Sequence, residues 1–188
     1  MKKLALIILS VLAAHACMAA SPVDLGTSAP YTPYDRYLGP VKQVLTHLDG
    51  QGASMDEVRK LMVQGRNFRY SFSDPYTAAT PQQTSASRSG DCKAKALWLA
   101  SQLNDPSVRY VIGRARDNSK VSHAWLMWKS EGKWWILDCT LAYAPIPADK
   151  INPEHQYIPL YSYSKGGSYR HHAGELAMAG STSAVANN

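Results

Sequence analysis

The stretch that decides the fold runs Ser89-Gly90-Asp91-Cys92-Lys93-Ala94-Lys95-Ala96. A cysteine follows a Gly-Asp pair, and apolar residues then recur at helical spacing as far as Leu103. This periodicity predicts a buried helix from Asp91 to Leu103 with Cys92 in its first turn. Unpaired backbone N–H groups and a partial positive charge at a helix N-terminus stabilise a thiolate and can donate to an oxyanion.

Two later segments supply an imidazole and a carboxylate. They read Ser122-His123-Ala124-Trp125 and Trp135-Ile136-Leu137-Asp138-Cys139. Strands are predicted over residues 123–129 and 133–139, and the turn signal Glu131-Gly132 between them indicates an antiparallel hairpin. Across such a pair Asp138 can lie beside His123 and orient its ring toward Cys92.

A thiol, an imidazole and a carboxylate are together the parts of an activated nucleophile. We therefore predict that Cys92 is the nucleophile, His123 the general base and Asp138 the acid that orients the base. Each residue also has a structural alternative: a small buried hydrophobe for Cys92, a strand-edge histidine for His123 and a strand-end cap for Asp138. Asp91 is expected to cap the helix, with substrate contact as the alternative.

The remaining periodicity predicts an α+β domain in which N-terminal helices and the nucleophile helix pack on an antiparallel sheet. Helices are expected over residues 38–48 and 54–65, the second with a Ser54/Glu57 capping box. A short strand is expected over residues 67–72, a polar loop over 73–89, a strand over 108–115 and a closing hairpin within 157–172. The 73–89 loop and the aromatic segment 157–169 are expected to form the walls of a substrate groove.

The length of 188 residues and the hydrophobic content of 45% suit one domain of ordinary size. Met1-Lys2-Lys3 and the apolar run that follows predict a signal peptide over residues 1–20, too short for a permanent membrane span. The catalytic domain is then expected over residues 21–172 and a disordered tail over 173–188. We expect a periplasmic or secreted protein; a lipoprotein anchored at Cys17 is the less favoured alternative, because His15 suits a lipobox poorly.

The basic residues that give the formal charge of +6 are scattered along the chain, which argues against a nucleic-acid partner. Three cysteines are too few for a disulfide scaffold. Cys139 is expected to be a buried free thiol, with a Cys92–Cys139 disulfide as the alternative. No metal and no cofactor are predicted, because His155, His171 and His172 lack metal-ligand spacing and His47 lies on a helical pattern.

The segments Arg88 to Cys92, Ser122 to Trp125 and Trp135 to Asp138 resemble the three core motifs of the transglutaminase-like superfamily. In particular they are similar to those of exported bacterial transglutaminase-like cysteine peptidases, as is Thr80-Pro81 upstream. The resemblance implies a papain-like α+β core and a triad of Cys92, His123 and Asp138. It also implies hydrolysis of an amide bond in a protein or peptide through an acyl-thioenzyme.

Two departures from that family pattern matter. Relatives often carry an acidic residue just after the cysteine, in some cases tied to calcium, whereas this chain has Lys93-Ala94-Lys95, so calcium dependence is not expected. The side chain that often completes the oxyanion hole has only candidates here, namely Gln82, Gln83 and Tyr76. Amine transfer by the same triad, a non-catalytic binding domain and a papain-like cell-wall peptidase remain alternatives; the last typically has a serine after the cysteine and a second histidine as third member.

Overall fold

The computed structural model describes residues 23–174 except Pro75 and Pro153. The predicted signal peptide, Cys17 and nearly all of the predicted tail lie outside the described residues. The helices are α1 (Gly39–Thr46), α2 (Met55–Arg66), α3 (Pro81–Ser87) and α4 (Cys92–Leu103), with 3₁₀ turns at Asp35–Tyr37 and Ala148–Lys150. The strands are β1 (Thr27–Ser28), β2 (Arg69–Tyr70), β3 (Ser89–Gly90), β4 (Arg109–Arg116), β5 (His123–Ser130), β6 (Lys133–Leu137), β7 (Ile146–Pro147), β8 (Gln156–Ser164) and β9 (Gly167–Arg170).

The main sheet has seven strands in the order β1-β9-β8-β4-β5-β6-β7, and its pairings are antiparallel. The predicted β5–β6 hairpin and the closing β8–β9 hairpin are both present. A separate parallel pair, β2 with β3, sets Tyr70 opposite Gly90, just before helix α4. The predicted α+β class with an antiparallel sheet is confirmed.

Helix α4 packs on one face of this sheet and is buried around most of its circumference. Alternation along β5 divides its side chains between the two faces, as the period of two requires. Leu126 and Trp128 join Leu97 of α4 in the larger core, whereas Trp125 and Met127 enter a smaller cluster on the opposite face. The N-terminus of α4 therefore lies against the sheet near the beginning of β5.

The prediction of a polar loop over residues 73–89 is wrong in its second half, where α3 forms. Thr80 is the N-cap of α3, Pro81 occupies its first turn, and Thr80 and Gln83 form a reciprocal capping box. These are helix-start signals that a composition rich in Ser, Thr and Gln obscures. Burial of Pro81 and Thr84 supplies the tertiary stabilisation that so short a helix needs.

Gly113 marks an irregularity in the centre of the sheet, where the register between β4 and β8 shifts. A Cβ atom at this position would lie 2.1 Å from the carbonyl oxygen of Ile158 and 2.6 Å from the ring of Trp125. Only glycine permits this approach. Gly113 of β4 also pairs with His123 of the neighbouring strand β5. The close packing of Gly113 against Ile158 and Trp125 therefore lies directly behind the candidate site.

Candidate active site

Cys92 is the first residue of α4, and its side chain is mostly buried. The preceding residue, Asp91, is the N-cap, as expected: its carboxylate accepts the backbone N–H of Ala94 at 3.1 Å. The other carboxylate oxygen is paired with the ammonium group of Lys93. Because Asp91 is only 1% exposed, this pairing compensates a charge that water cannot solvate.

His123 begins β5, and Asp138 directly follows β6, so the hairpin brings the two residues together. His123 Nε2 lies 2.8 Å from Asp138 Oδ2. The side chain of Asp138 is 1% exposed and that of His123 is 10% exposed. A buried carboxylate with this geometry fixes both the tautomer and the orientation of the ring.

The Asp138 carboxylate is hydrogen-bonded through both of its oxygens. Oδ1 accepts the backbone N–H groups of Thr140 at 2.9 Å and Leu141 at 3.1 Å. Oδ2 accepts from His123 and also from the hydroxyl of Tyr157 at 3.1 Å. These four donors compensate the desolvation of the charged group and hold it in one orientation.

His123 also shares a hydrogen bond with Cys92. Since Nε2 is hydrogen-bonded to Asp138, we infer that Nδ1 makes the contact with the thiol. Burial lowers the pKa of His123, but its hydrogen bonds and charge interactions with Asp138 and Cys92 outweigh burial and raise it to about 9. The geometry therefore favours an imidazolium ion at neutral pH, placed between a thiol and a carboxylate.

One aromatic ring packs beside the imidazole, and a second ring packs against the first. Trp125 stacks on His123 with ring centroids 6.0 Å apart, and Tyr157 meets Trp125 edge to face at 5.5 Å. The close approach at Gly113 is what lets Trp125 occupy this position. The imidazole is thus flanked by rigid apolar groups as well as by its hydrogen-bond partners.

A groove of about 340 Å³ opens at Cys92 and His123. Its apolar walls include side chains that are more than half exposed, which are Tyr70, Phe72, Tyr76 and Val121. The ring of Tyr76 stacks on Tyr37 at 4.5 Å. Besides Cys92 and Lys93, the lining comes from residues 70–76, from Tyr34 and Ile112, and from residues 121–124. The predicted groove walls are therefore wrong for the most part: of the described residues in 73–89 only Tyr76 lines the groove, and none of residues 157–169, which lie in β8, β9 and the turn between them, does.

Of the predicted oxyanion candidates, Tyr76 lines the groove but Gln82 and Gln83 do not. The Gln83 side chain accepts the backbone N–H of Thr80 at 2.9 Å and is used in capping α3. Gln82 lines a separate cavity of about 430 Å³ beside α1, with Pro40 and His47. The helix α3, unrecognised in the sequence, turns both glutamines away from the groove.

Tyr70 is a site residue that sequence reasoning missed. The backbone N–H of Cys92 is hydrogen-bonded to the Tyr70 hydroxyl, and burial together with the nearby Cys92 and Asp91 raises the pKa of that phenol. The parallel pairing of β2 with β3 brings Tyr70 there. Contacts between distant segments leave no periodic signal, so no sequence pattern pointed to it.

Cys139 is a free thiol, as expected, and no disulfide joins it to Cys92. Its Sγ atom lies 3.6 Å from the carbonyl oxygen of Lys95 in helix α4. Burial, with a contribution from Asp138, raises the pKa of the Cys139 thiol to about 12. The Cys139 thiol is therefore protonated at neutral pH.

No set of three or more His, Cys, Asp or Glu side chains converges as a metal site within the described part of the chain. Asp91, the carboxylate next to Cys92, already has the Lys93 ammonium as its cationic partner. The residues around Cys92 thus do not fit a divalent cation, which prefers several carboxylate or carbonyl oxygens.

No protein-family model and no curated protein sequence matches the chain. Among solved structures, calcium-bound LapG of Legionella pneumophila superposes with a TM-score of 0.50 at 18% identity, over 74% of this chain and 81% of that one. A protein from Cytophaga hutchinsonii described as a candidate cysteine protease superposes with a TM-score of 0.41 at 21% identity, over 61% and 40% of the two chains. At such identities the likeness concerns the fold: the chain has a transglutaminase-like fold, as the motifs predicted.

We expect iodoacetamide to alkylate Cys92 and to spare Cys139 in the native protein at neutral pH. Cys92 adjoins an imidazolium and a helix N-terminus, whereas Cys139 is buried and stays protonated. Peptide mapping by mass spectrometry measures both rates, and Cys92→Ala and Cys139→Ala are the matched controls. Equal labelling of the two cysteines in the folded protein would contradict the assignment.

Proposed function

We propose that this chain is an exported cysteine peptidase that hydrolyses an amide bond of a protein or peptide through an acyl-thioenzyme. The observation that carries the proposal is the buried His123, hydrogen-bonded to the Asp138 carboxylate on one side and to the Cys92 thiol on the other. An imidazole held in this way generates a thiolate, the attacking species in such chemistry.

In the first half of the proposed reaction, the Cys92 thiolate attacks the scissile carbonyl carbon and a C–S bond forms. The carbonyl oxygen takes up the negative charge. The proposed donors to it are the Cys92 backbone N–H and the Tyr70 hydroxyl, which are hydrogen-bonded to each other at the start of α4 before substrate binds. The His123 imidazolium then gives its proton to the leaving nitrogen, the C–N bond breaks, and a thioester remains on Cys92.

In the second half, neutral His123 takes a proton from water while the water oxygen attacks the thioester carbonyl. The C–S bond breaks, the carboxylic acid product leaves, and the thiolate–imidazolium pair is restored. Asp138 stays ionised throughout and holds the ring through Nε2. Amine transfer differs only in that an amine replaces water in this half.

The substrate that suits the groove is an extended polypeptide segment with apolar or aromatic side chains next to the scissile bond. Among the described residues that line the groove, the basic groups are Lys93 and His123, and each has its own carboxylate partner. The exposed rings of Tyr70, Phe72 and Tyr76 are left to bury apolar substrate surface.

Export is part of the proposal because of the charged start and apolar run of residues 1–20. None of the helices in the described portion is long and apolar enough to cross a membrane.

Cleavage of a library of unstructured peptides tests the proposed activity directly. We expect the wild type to produce new termini that incorporate ¹⁸O from labelled water, Cys92→Ala to produce none, and Asp138→Asn to be slower by about 10⁴, as when a serine triad loses its carboxylate. A dominant product with an added primary amine would assign amine transfer instead. Cleavage by Cys92→Ala at the wild-type rate would refute a cysteine mechanism.

Phe72→Ala should change which peptides are cut. Loss of one ring from the groove removes apolar contact worth roughly 1–3 kcal/mol, so kcat/KM for peptides with aromatic residues should fall about tenfold. Alkylation of Cys92 by iodoacetamide should stay unchanged. Tyr143→Ala is the matched control, since Tyr143 is similarly exposed but does not line the groove. Unchanged preference in Phe72→Ala would place the substrate elsewhere.

A chelator should leave cleavage unaffected. The Legionella structure is described as calcium-bound, but here the Lys93 ammonium pairs with the Asp91 carboxylate. We expect equal rates with EDTA and with added calcium, measured on one cleaved peptide. Loss of activity in EDTA that calcium restores and magnesium does not would show that this expectation is wrong.

A further inference from the structure

The Asp138 carboxylate has a partner outside the predicted triad. The Tyr157 hydroxyl donates to Oδ2 at 3.1 Å, and the same oxygen lies 2.8 Å from His123 Nε2. The other donors to this carboxylate, the backbone N–H groups of Thr140 and Leu141, both bind Oδ1. Tyr157 is therefore the group that shares with His123 the oxygen on which the imidazole depends.

The backbone and the ring of Tyr157 both hold its hydroxyl in place. Its φ angle is 48°, in the left-handed region that non-glycine residues rarely adopt. Its ring meets Trp125 edge to face at 5.5 Å, with an interplanar angle of 71°, and Trp125 in turn stacks on His123. Tyr157 thus acts on the His123–Asp138 pair through a hydrogen bond to the carboxylate and through a ring that supports the imidazole.

We infer that Tyr157 is a positioning residue, which holds Asp138 Oδ2 on His123 and limits the charge that this oxygen presents to the imidazole. The inference rests on the proposed function, since it concerns the efficiency of the same Cys92 chemistry. Tyr157 itself touches neither the nucleophile nor the groove.

Removal of the Tyr157 hydroxyl is expected to raise the pKa of His123, because this hydroxyl shares the negative charge of the Asp138 carboxylate. A phenol that donates to Oδ2 takes up part of the carboxylate charge, so its removal leaves more charge facing the imidazolium. His123 should then deprotonate at a higher pH. At the same time the carboxylate loses one of the two donors on Oδ2 and turns more freely about its Oδ1 contacts, so fewer molecules present the imidazole correctly.

Several other charged or titratable groups interact with His123, Asp138 or Tyr157, and they must be the same in the wild type and in the Tyr157 variants. Cys92 and Lys95 belong to α4: Cys92 faces His123, and Lys95 interacts with Asp138. Cys139, next to Asp138 in the chain, also interacts with it. Arg116 interacts with Tyr157, and Arg66 acts on Lys95 and Cys139. Burial and the neighbouring Asp138 raise the pKa of Tyr157, so it remains a protonated donor while His123 titrates.

The test compares wild type with Tyr157→Phe, which keeps the ring against Trp125 and removes only the hydroxyl. The rate at which iodoacetamide alkylates Cys92 is followed from pH 5 to pH 11 by peptide mapping. A thiolate paired with an imidazolium reacts at an intermediate rate, and a second rise in rate appears when the imidazolium loses its proton. We expect Tyr157→Phe to move that second rise upward by about half a pH unit or more. For a cleaved peptide, kcat should fall about tenfold with KM unchanged.

Tyr163→Phe is the matched control. The Tyr163 side chain is also buried, and its hydroxyl is hydrogen-bonded to Thr32 Oγ1 at 2.6 Å. It is not one of the donors to the Asp138 carboxylate. This variant should keep the wild-type pH profile and kcat. 4-Aminophenylalanine in place of Tyr157 restores a neutral donor at the same position, so it should return both the pH profile and kcat toward wild type.

The outcomes separate this inference from the proposed function. A wild-type profile and wild-type kcat in Tyr157→Phe would overturn the role of Tyr157, as would lower stability with an unshifted profile. If Tyr157→Phe does not fold, failure of 4-aminophenylalanine to reproduce the wild-type profile in a folded protein would overturn it as well. A wild-type Cys92 that does not react at all would instead refute the proposed function, before any variant is compared.

Discussion

The structure depends on one part-buried hydrogen bond, between His123 Nε2 and Asp138 Oδ2. A carboxylate that is 1% exposed is tolerable only when its oxygens are fully bonded, because an unpaired buried charge is strongly destabilising. The surroundings of Asp138 meet that requirement with two backbone N–H groups, the imidazole and the Tyr157 hydroxyl. Because those donors come from three separate segments, the carboxylate ties the β5–β6 hairpin, the turn after β6 and strand β8 to one point.

The same bond explains why the two layers of the fold meet where they do. Helix α4 lies against the sheet with its N-terminus toward His123, so that the imidazole nitrogen left free by Asp138 faces Cys92. The two charged residues that flank Cys92, Asp91 and Lys93, neutralise each other, and apolar rings form the rest of the groove. The Cys92–His123 pair therefore lies inside a neutral, mostly apolar surface.

Local patterns in the sequence predicted the parts of this arrangement that are themselves local. Helical periodicity after Cys92 gave α4, strand alternation and a Glu131-Gly132 turn gave the hairpin, and the order of thiol, imidazole and carboxylate indicated which residues would meet. Helix α3 was missed because its polar composition resembles a loop, although Thr80 and Gln83 carried a capping signal. Tyr70 and Tyr157 could not be found, because a parallel two-strand pair and a strand distant from β6 bring them to the site, and neither leaves a local pattern.

We infer that Asp138 holds His123 as an imidazolium at neutral pH. The most direct measurement is ¹⁵N NMR of the His123 ring nitrogens across the pH range, in wild type and in Asp138→Asn. We expect a ring protonated on both nitrogens at pH 7 that loses a proton near pH 9 in wild type, and an imidazole that is already neutral at pH 7 in the variant. A neutral His123 at pH 7 in wild type, or identical titrations in the two proteins, would contradict it.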